Sequence, residues 1–189
     1  MELTLPDLQE KLIAWDGCAL SKNAKAVLGE GNPNADVLFI GEAPGKREDE
    51  LGRPFVGAAG KFLDELIESM GWKRSDMYIS NVVKYRPPDN RDPTPEEKAQ
   101  CMPWLMLEIA TIKPKVIVPL GRHSLGHFYT KLSISDAHGE PYTLTEDVTI
   151  FPIYHPAAAM HNGGLRQALY DDFAKLKLYL EEQGIRPSD

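Results

Sequence analysis

Four side chains suited to bond cleavage fall where predicted strands end. Glu42 follows the apolar run Val37-Leu38-Phe39-Ile40 and Gly41, and Glu48 stands in the charged loop beyond it. Asn81 lies at the end of a second apolar run, and His155 follows a fourth, just before Pro156. A carboxylate can act on water or face developing positive charge, an amide offers both a donor and an acceptor, and an imidazole can donate to a leaving anion. Taken singly, each has a plainer explanation. Glu48 with Asp49 and Glu50 reads as a solvated acidic face, Asn81 as a strand terminator and His155 as a turn residue. Their shared place at the carboxyl ends of strands argues for a site, because ligands of open α/β sheets bind there.

The elements that position them follow from periodicity. Apolar runs at 36–41, 77–83, 116–120 and 148–154 are short and bounded by turn residues, which predicts strands covered on both faces. A segment at 142–146 is an expected edge strand. Helical spacing predicts a helix over 5–15 opened by Pro6, one from Gly57 through Met70 capped by Gly71, and one over 165–182. Thr94 with Glu97 three residues later is a capping box for a helix over 95–112, and Gly121 opens a further helix to Tyr129. Strands alternating with helices imply parallel pairing. The expected fold is a three-layer α/β/α sandwich around a mainly parallel four-stranded sheet.

Composition narrows the class. A chain of 189 residues suits one such domain, with 42% hydrophobic and 26% charged residues. No apolar stretch approaches the roughly 20 residues of a membrane span. The N-terminus lacks a signal pattern, so a cytoplasmic protein is expected. The two cysteines, Cys18 and Cys101, are expected as thiols in that reducing compartment. A net charge of −7 argues weakly against nucleic acid, yet Lys46, Arg47, Arg53, Lys84, Arg86 and Arg91 gather on two predicted loops. A basic edge on an acidic body is compatible with both facts.

The ordered motifs carry a resemblance. Gly41-Glu42-Ala43-Pro44-Gly45, Glu48-Asp49 and Gly52-Arg53-Pro54-Phe55-Val56-Gly57 resemble the first motif of the family 4 uracil-DNA glycosylases. Ile79-Ser80-Asn81-Val82-Val83-Lys84 with Arg86-Pro87-Pro88 resembles the second, and Tyr154-His155-Pro156-Ala157 the last. The resemblance implies removal of uracil from DNA by hydrolysis of the N-glycosidic bond, with the base flipped into a pocket. It assigns Glu42, Asn81 and His155 to catalysis, and Gly41, Ala43, Glu48, Phe55 and Asn81 to binding uracil. Which of Glu42 and Glu48 positions the water is left open. Lys84, Arg86, Arg91, Met160, His161 and Gly163 are the expected DNA contacts, with Met160 as the apolar wedge.

One departure from the family is expected to matter. Its members typically hold an iron–sulfur cluster on four cysteines, and the matching positions here are Trp15, Cys18, Tyr85 and Cys101. Cys thiolates normally hold all four corners, so no cluster and no other metal is expected. Uracil-containing DNA is the expected partner, met as a monomer. Two other readings stay open at this point: a catalytically silent binder of damaged DNA, and a nucleotide-binding enzyme of similar architecture.

Overall fold

The run at 37–41 is the middle of the sheet. In the computed structural model, which describes residues 3–188, Val37–Gly41 (β2) is buried along its whole length. It lies between two parallel neighbours, Tyr78–Asn81 (β3) and Val116–Pro119 (β4), with Thr149–Ile150 (β6) parallel beyond β4. These are the four expected strands. Two antiparallel edges of two residues each, Glu30–Gly31 (β1) and Tyr142–Thr143 (β5), extend the sheet to six strands in the order β1-β3-β2-β4-β6-β5. The expected four-stranded sheet is therefore its parallel part. β5 falls inside the expected edge, whereas Glu30–Gly31 is too short and polar to carry a pattern.

The helices are Leu5–Ile13 (α1), Lys46–Leu51 (α2), Ala58–Ser69 (α3), Pro95–Ile112 (α4), Gly121–Leu125 (α5), Ile134–Ala137 (α6), Pro156–His161 (α7) and Gly164–Glu182 (α8). Side chains alternate across β2, so each face of the sheet has its own core. Val37 and Phe39 pack with Leu63 and Leu66 of α3 and Leu169 and Phe173 of α8. Leu38 and Ile40 pack with Leu8 and Leu12 of α1 and Leu105 of α4. Phe39 stacks on Phe173 with ring centroids 5.8 Å apart. Each such side chain contributes about 1.5–3 kcal/mol on full burial, and two separate cores hold the strand ends in place.

Helix ends follow the expected chemistry. Thr94 and Glu97 exchange the two bonds of a capping box, and Thr4 does the same with Asp7. Gly71 takes a left-handed conformation just past α3 (φ 80°). The charged loop after β2 departs from expectation by containing α2, which ends at Gly52 in the left-handed region.

Candidate active site

A cleft of about 480 Å³ opens at the carboxyl ends of β2 and β3, lined by Glu42, Ala43, Glu48, Phe55, Asn81 and His155 among others. The three residues expected for catalysis are thus brought to one wall-to-wall space. Backbone bonds from Val82 to the Gly41 carbonyl (3.0 Å) and from Val83 to the Glu42 carbonyl (2.9 Å) continue the β2–β3 ladder past Asn81. They fix Glu42 and Asn81 side by side.

Gly41 is where the cleft is tightest. A Cβ there would stand 2.4 Å from Asn81 Oδ1 and 2.5 Å from the Phe55 ring, so only glycine lets the amide and the ring approach the strand end. Asn81 is 2% exposed, and its Oδ1 has no hydrogen-bond partner among the described residues. A buried acceptor left unpaired is costly, and a ligand donor in the cleft would satisfy it.

Phe55 adopts a left-handed backbone (φ 50°), a conformation that costs a non-glycine residue energy and persists only when its surroundings enforce it. Arg74 is the enforcer. Its guanidinium donates to the carbonyls of Phe55 (2.9 Å) and Pro54 (2.6 Å) and to Asp64 Oδ1 (3.0 Å). The Phe55 ring faces His155 with centroids 5.7 Å apart.

His155 caps α7. Its Nδ1 accepts from the Ala157 amide at 3.1 Å, so the ring proton sits on Nε2 and that atom is a donor. Burial, with a smaller contribution from His123, pushes its pKa down to about 4. The ring is therefore neutral at physiological pH.

Glu48 has a structural task as well as a place in the cleft. Its Oε1 accepts from the amides of Val56 (2.8 Å) and Gly57 (2.7 Å), which ties α2 to the start of α3. Glu42 has no such bond. Its side chain is 19% exposed, while its Oε1 is buried and meets Lys98 Nζ at 3.3 Å and His123 Nδ1 at 3.5 Å.

The expected DNA contacts divide. Met160, 53% exposed, His161 and Gly163 project from the tip formed by α7 and the turn after it. Arg91 lines the cleft, its guanidinium held by both oxygens of Glu97 (2.9 and 2.7 Å) while it remains 42% exposed. Arg86 donates to Asn90 Oδ1 at 2.7 Å. Lys84 is a correction. Its side chain is fully buried, ion-paired with Glu108 and donating to Ser80 Oγ (2.9 Å) and the Asn81 carbonyl (2.7 Å), so no phosphate can reach it. A lysine at the end of a strand motif was legible as a loop cation, but the buried Glu108 on α4 draws it inward.

Comparison with known proteins settles the family. The profile of the Uracil DNA glycosylase superfamily matches residues 28–177. The chain belongs to the uracil DNA glycosylase superfamily. It is 45% identical over 184 residues to the type-4 uracil-DNA glycosylase of Sulfurisphaera tokodaii, covering 92% of this chain and 84% of that one. The type-4 enzyme of Thermotoga maritima is 41% identical over 182 residues, covering 94% and 95%. A type-5 uracil-DNA glycosylase from Thermus thermophilus is 31% identical over 182 residues, covering 81% and 83%.

Within this superfamily member, the neighbourhood of Trp15, Cys18, Tyr85 and Cys101 is an apolar cluster. Trp15 packs against Tyr85 (centroids 6.1 Å) and Trp104 (5.5 Å), and the Tyr85 hydroxyl donates to the carbonyls of Leu12 and Trp15, each at 3.1 Å. Cys18 and Cys101 are buried thiols, and burial pushes the Cys101 thiol up to about 12. An indole has no lone pair to give a metal, and burial pushes the Tyr85 phenol up to about 12, so it keeps the proton that it donates to the two carbonyls. These four side chains do not fit a four-cornered cluster.

Sequence reasoning missed Lys98, His123 and Arg74. His123 lies in the first turn of α5, four residues past β4, so its nearness to a strand end was the one signal that pointed to it. Lys98 and Arg74 carry no local signal, because only tertiary packing brings them against Glu42 and Phe55.

Proposed function

We propose that this chain removes uracil from DNA, flipping the base into the cleft and hydrolysing its N-glycosidic bond to leave an abasic site. What carries the reading is the meeting of Glu42, Asn81, Phe55 and a neutral His155 around one cleft, in a chain similar to type-4 uracil-DNA glycosylases along nearly its whole length. Phe55 stacks on the flipped base. Asn81 reads its polar edge, with the unpaired Oδ1 accepting from the ring N–H. As the bond breaks, negative charge develops on the leaving base and positive charge on the sugar. His155 Nε2–H donates to the former, and the Glu42 carboxylate faces the latter and orients the attacking water. Gly41 and Ala43 supply backbone to the cleft, Glu48 shapes it through α3, and Arg86, Arg91, His161 and Gly163 contact the DNA strands around the Met160 wedge.

The reading also holds that the chain works without an iron–sulfur cluster or other metal. The Trp15–Tyr85 packing and the Cys101 thiol, which burial keeps protonated, support this. Purified anaerobically, the protein is expected to be colourless and free of stoichiometric iron and acid-labile sulfide. Monomeric action is supported by the scatter of exposed apolar side chains, with Ile13, Met106 and Leu178 on three different helices. No helix among the described residues is long and apolar enough to cross a membrane. A cytoplasmic location suits two buried free thiols.

The test is excision from a uracil-containing oligonucleotide, scored as alkali-labile breaks. Asn81→Ala and His155→Ala are each expected to lose about 10- to 150-fold in rate, the worth of one charge-assisted hydrogen bond. Folded parental protein that makes no breaks sinks the reading.

A further inference from the structure

Among the described residues the β2–β3 ladder holds the backbone of Glu42 as it holds that of Asn81, and the Ala157 amide holds the His155 ring, but the Glu42 carboxylate has no hydrogen bond that fixes it. A flexible carboxylate in a cleft loses rate, because a displacement of about 1 Å costs on the order of a hundredfold. Something else must aim it.

Two side chains from different elements converge on one of its oxygens. Lys98, at the end of the first turn of α4 and 18% exposed, places Nζ 3.3 Å from Glu42 Oε1. His123, in α5 directly after β4, places Nδ1 3.5 Å from the same oxygen. Lys98 Nζ and His123 Nδ1 are themselves 3.5 Å apart, closing a triangle. The ring of His123 is oriented from behind. Arg122 Nε donates to its Nε2 at 3.2 Å, which leaves the ring hydrogen on Nδ1 facing Glu42, and Asp92 Oδ2 lies 3.4 Å from that Nε2. Glu42, Asp92 and His123 are close enough to suggest a cation site. The Lys98 ammonium already supplies positive charge to Glu42 there.

The geometry points to Lys98 and His123 as positioning residues for Glu42: they hold its Oε1 out of the cleft and so present the other oxygen to water and sugar. This rests on the uracil-excision reading. Neither residue touches substrate. They act through the orientation of one carboxylate, which no local sequence motif specifies.

The experiment is a double-mutant cycle on the steady-state kcat and KM of excision. Lys98→Met and His123→Gln, made singly, are expected to lower kcat about tenfold with KM unchanged, and Lys98→Arg to restore most of the loss. In a Glu42→Gln background the same Lys98→Met change is expected to alter kcat less than about twofold, since the carboxylate that Lys98 aims is gone. Losses in the Glu42→Gln background as large as in the parental one would mark Lys98 and His123 as general scaffold and overturn the proposal. So would unchanged kcat in both single variants, or a crystal structure of Lys98→Met with the Glu42 carboxylate unmoved. Parental protein that excises no uracil would bring down the functional reading, and this proposal with it. Excision by the parental protein together with any of the three earlier results brings down the proposal alone.

Discussion

Gly41 and Asn81 stand so close that a single methyl group on the first would lie 2.4 Å from the side-chain oxygen of the second. The two residues close adjacent strands, paired in register as Gly41 opposite Asn81. The close approach is thus built into the sheet itself, and the cleft has no slack at its floor. Gly41→Ala is expected to push Asn81 or Phe55 aside and cost at least about tenfold in excision, with overpacking of about 1–3 kcal/mol in stability. Excision kinetics alongside thermal melting check it. Parental rate in the variant would show that the floor can give.

The neutral imidazole of His155 carries a pH signature. Its pKa is lowered from an ordinary 6.5 to about 4 by burial and, secondarily, by His123. Between those values the unfolded chain binds a proton that the folded chain refuses. Stability from this group is therefore fully present above about pH 6.5 and lost progressively as pH falls toward 4. Histidine ring NMR should place the His155 midpoint near 4, and excision should show no limb from this residue between about pH 5 and 8. A midpoint above 6 would contradict the neutral-donor role.

Lys84 yields a prediction opposite to that for a phosphate contact. Lys84→Met leaves the Glu108 carboxylate buried without its cation, and Glu108 also accepts from Gly29 N (2.7 Å), Tyr78 and Ser80. Breaking a buried pair in this way costs about 3–5 kcal/mol. Denaturant unfolding should register that loss, while the salt dependence of DNA binding should keep its slope. A slope reduced by about one would restore Lys84 to the DNA interface.

The wedge role proposed for Met160 predicts a difference between paired and unpaired substrates. Its side chain is exposed at the tip of α7 rather than packed on α8. Unstacking a base step costs a few kcal/mol, which an inserted side chain offsets. Met160→Ala is expected to slow excision from a U·A duplex by at least about tenfold and to leave single-stranded substrate nearly unaffected. Equal losses on both, or a lowered melting temperature, would assign the residue to packing.

Much of this was legible in the chain because strand ends announce themselves. The apolar run at 37–41, the capping box at Thr94 and the glycine after α3 rest on local chemistry that a sequence displays directly. Glu42, Asn81 and His155 were found by the same rule, and the structure brings them to one cleft. What could not be read depends on distant partners. The fate of Lys84 is decided by Glu108, 24 residues on, and the conformation of Phe55 by Arg74, 19 residues on. β1 was invisible because two residues, Glu30 and Gly31, pair by backbone alone.

Arg74 reaches further than the aromatic wall it braces. Its Nε also lies 4.0 Å from Glu30 of β1, and Glu30 in turn grips Arg53 through both oxygens (2.6 and 2.7 Å). The outermost strand of the sheet and the wall of the cleft are therefore moored to the same guanidinium. Short edges fray well before a domain melts. On warming, this enzyme should lose its grip on the flipped base while its spectrum still reports a folded protein, so that heat inactivation is an event at the rim and not a collapse of the core.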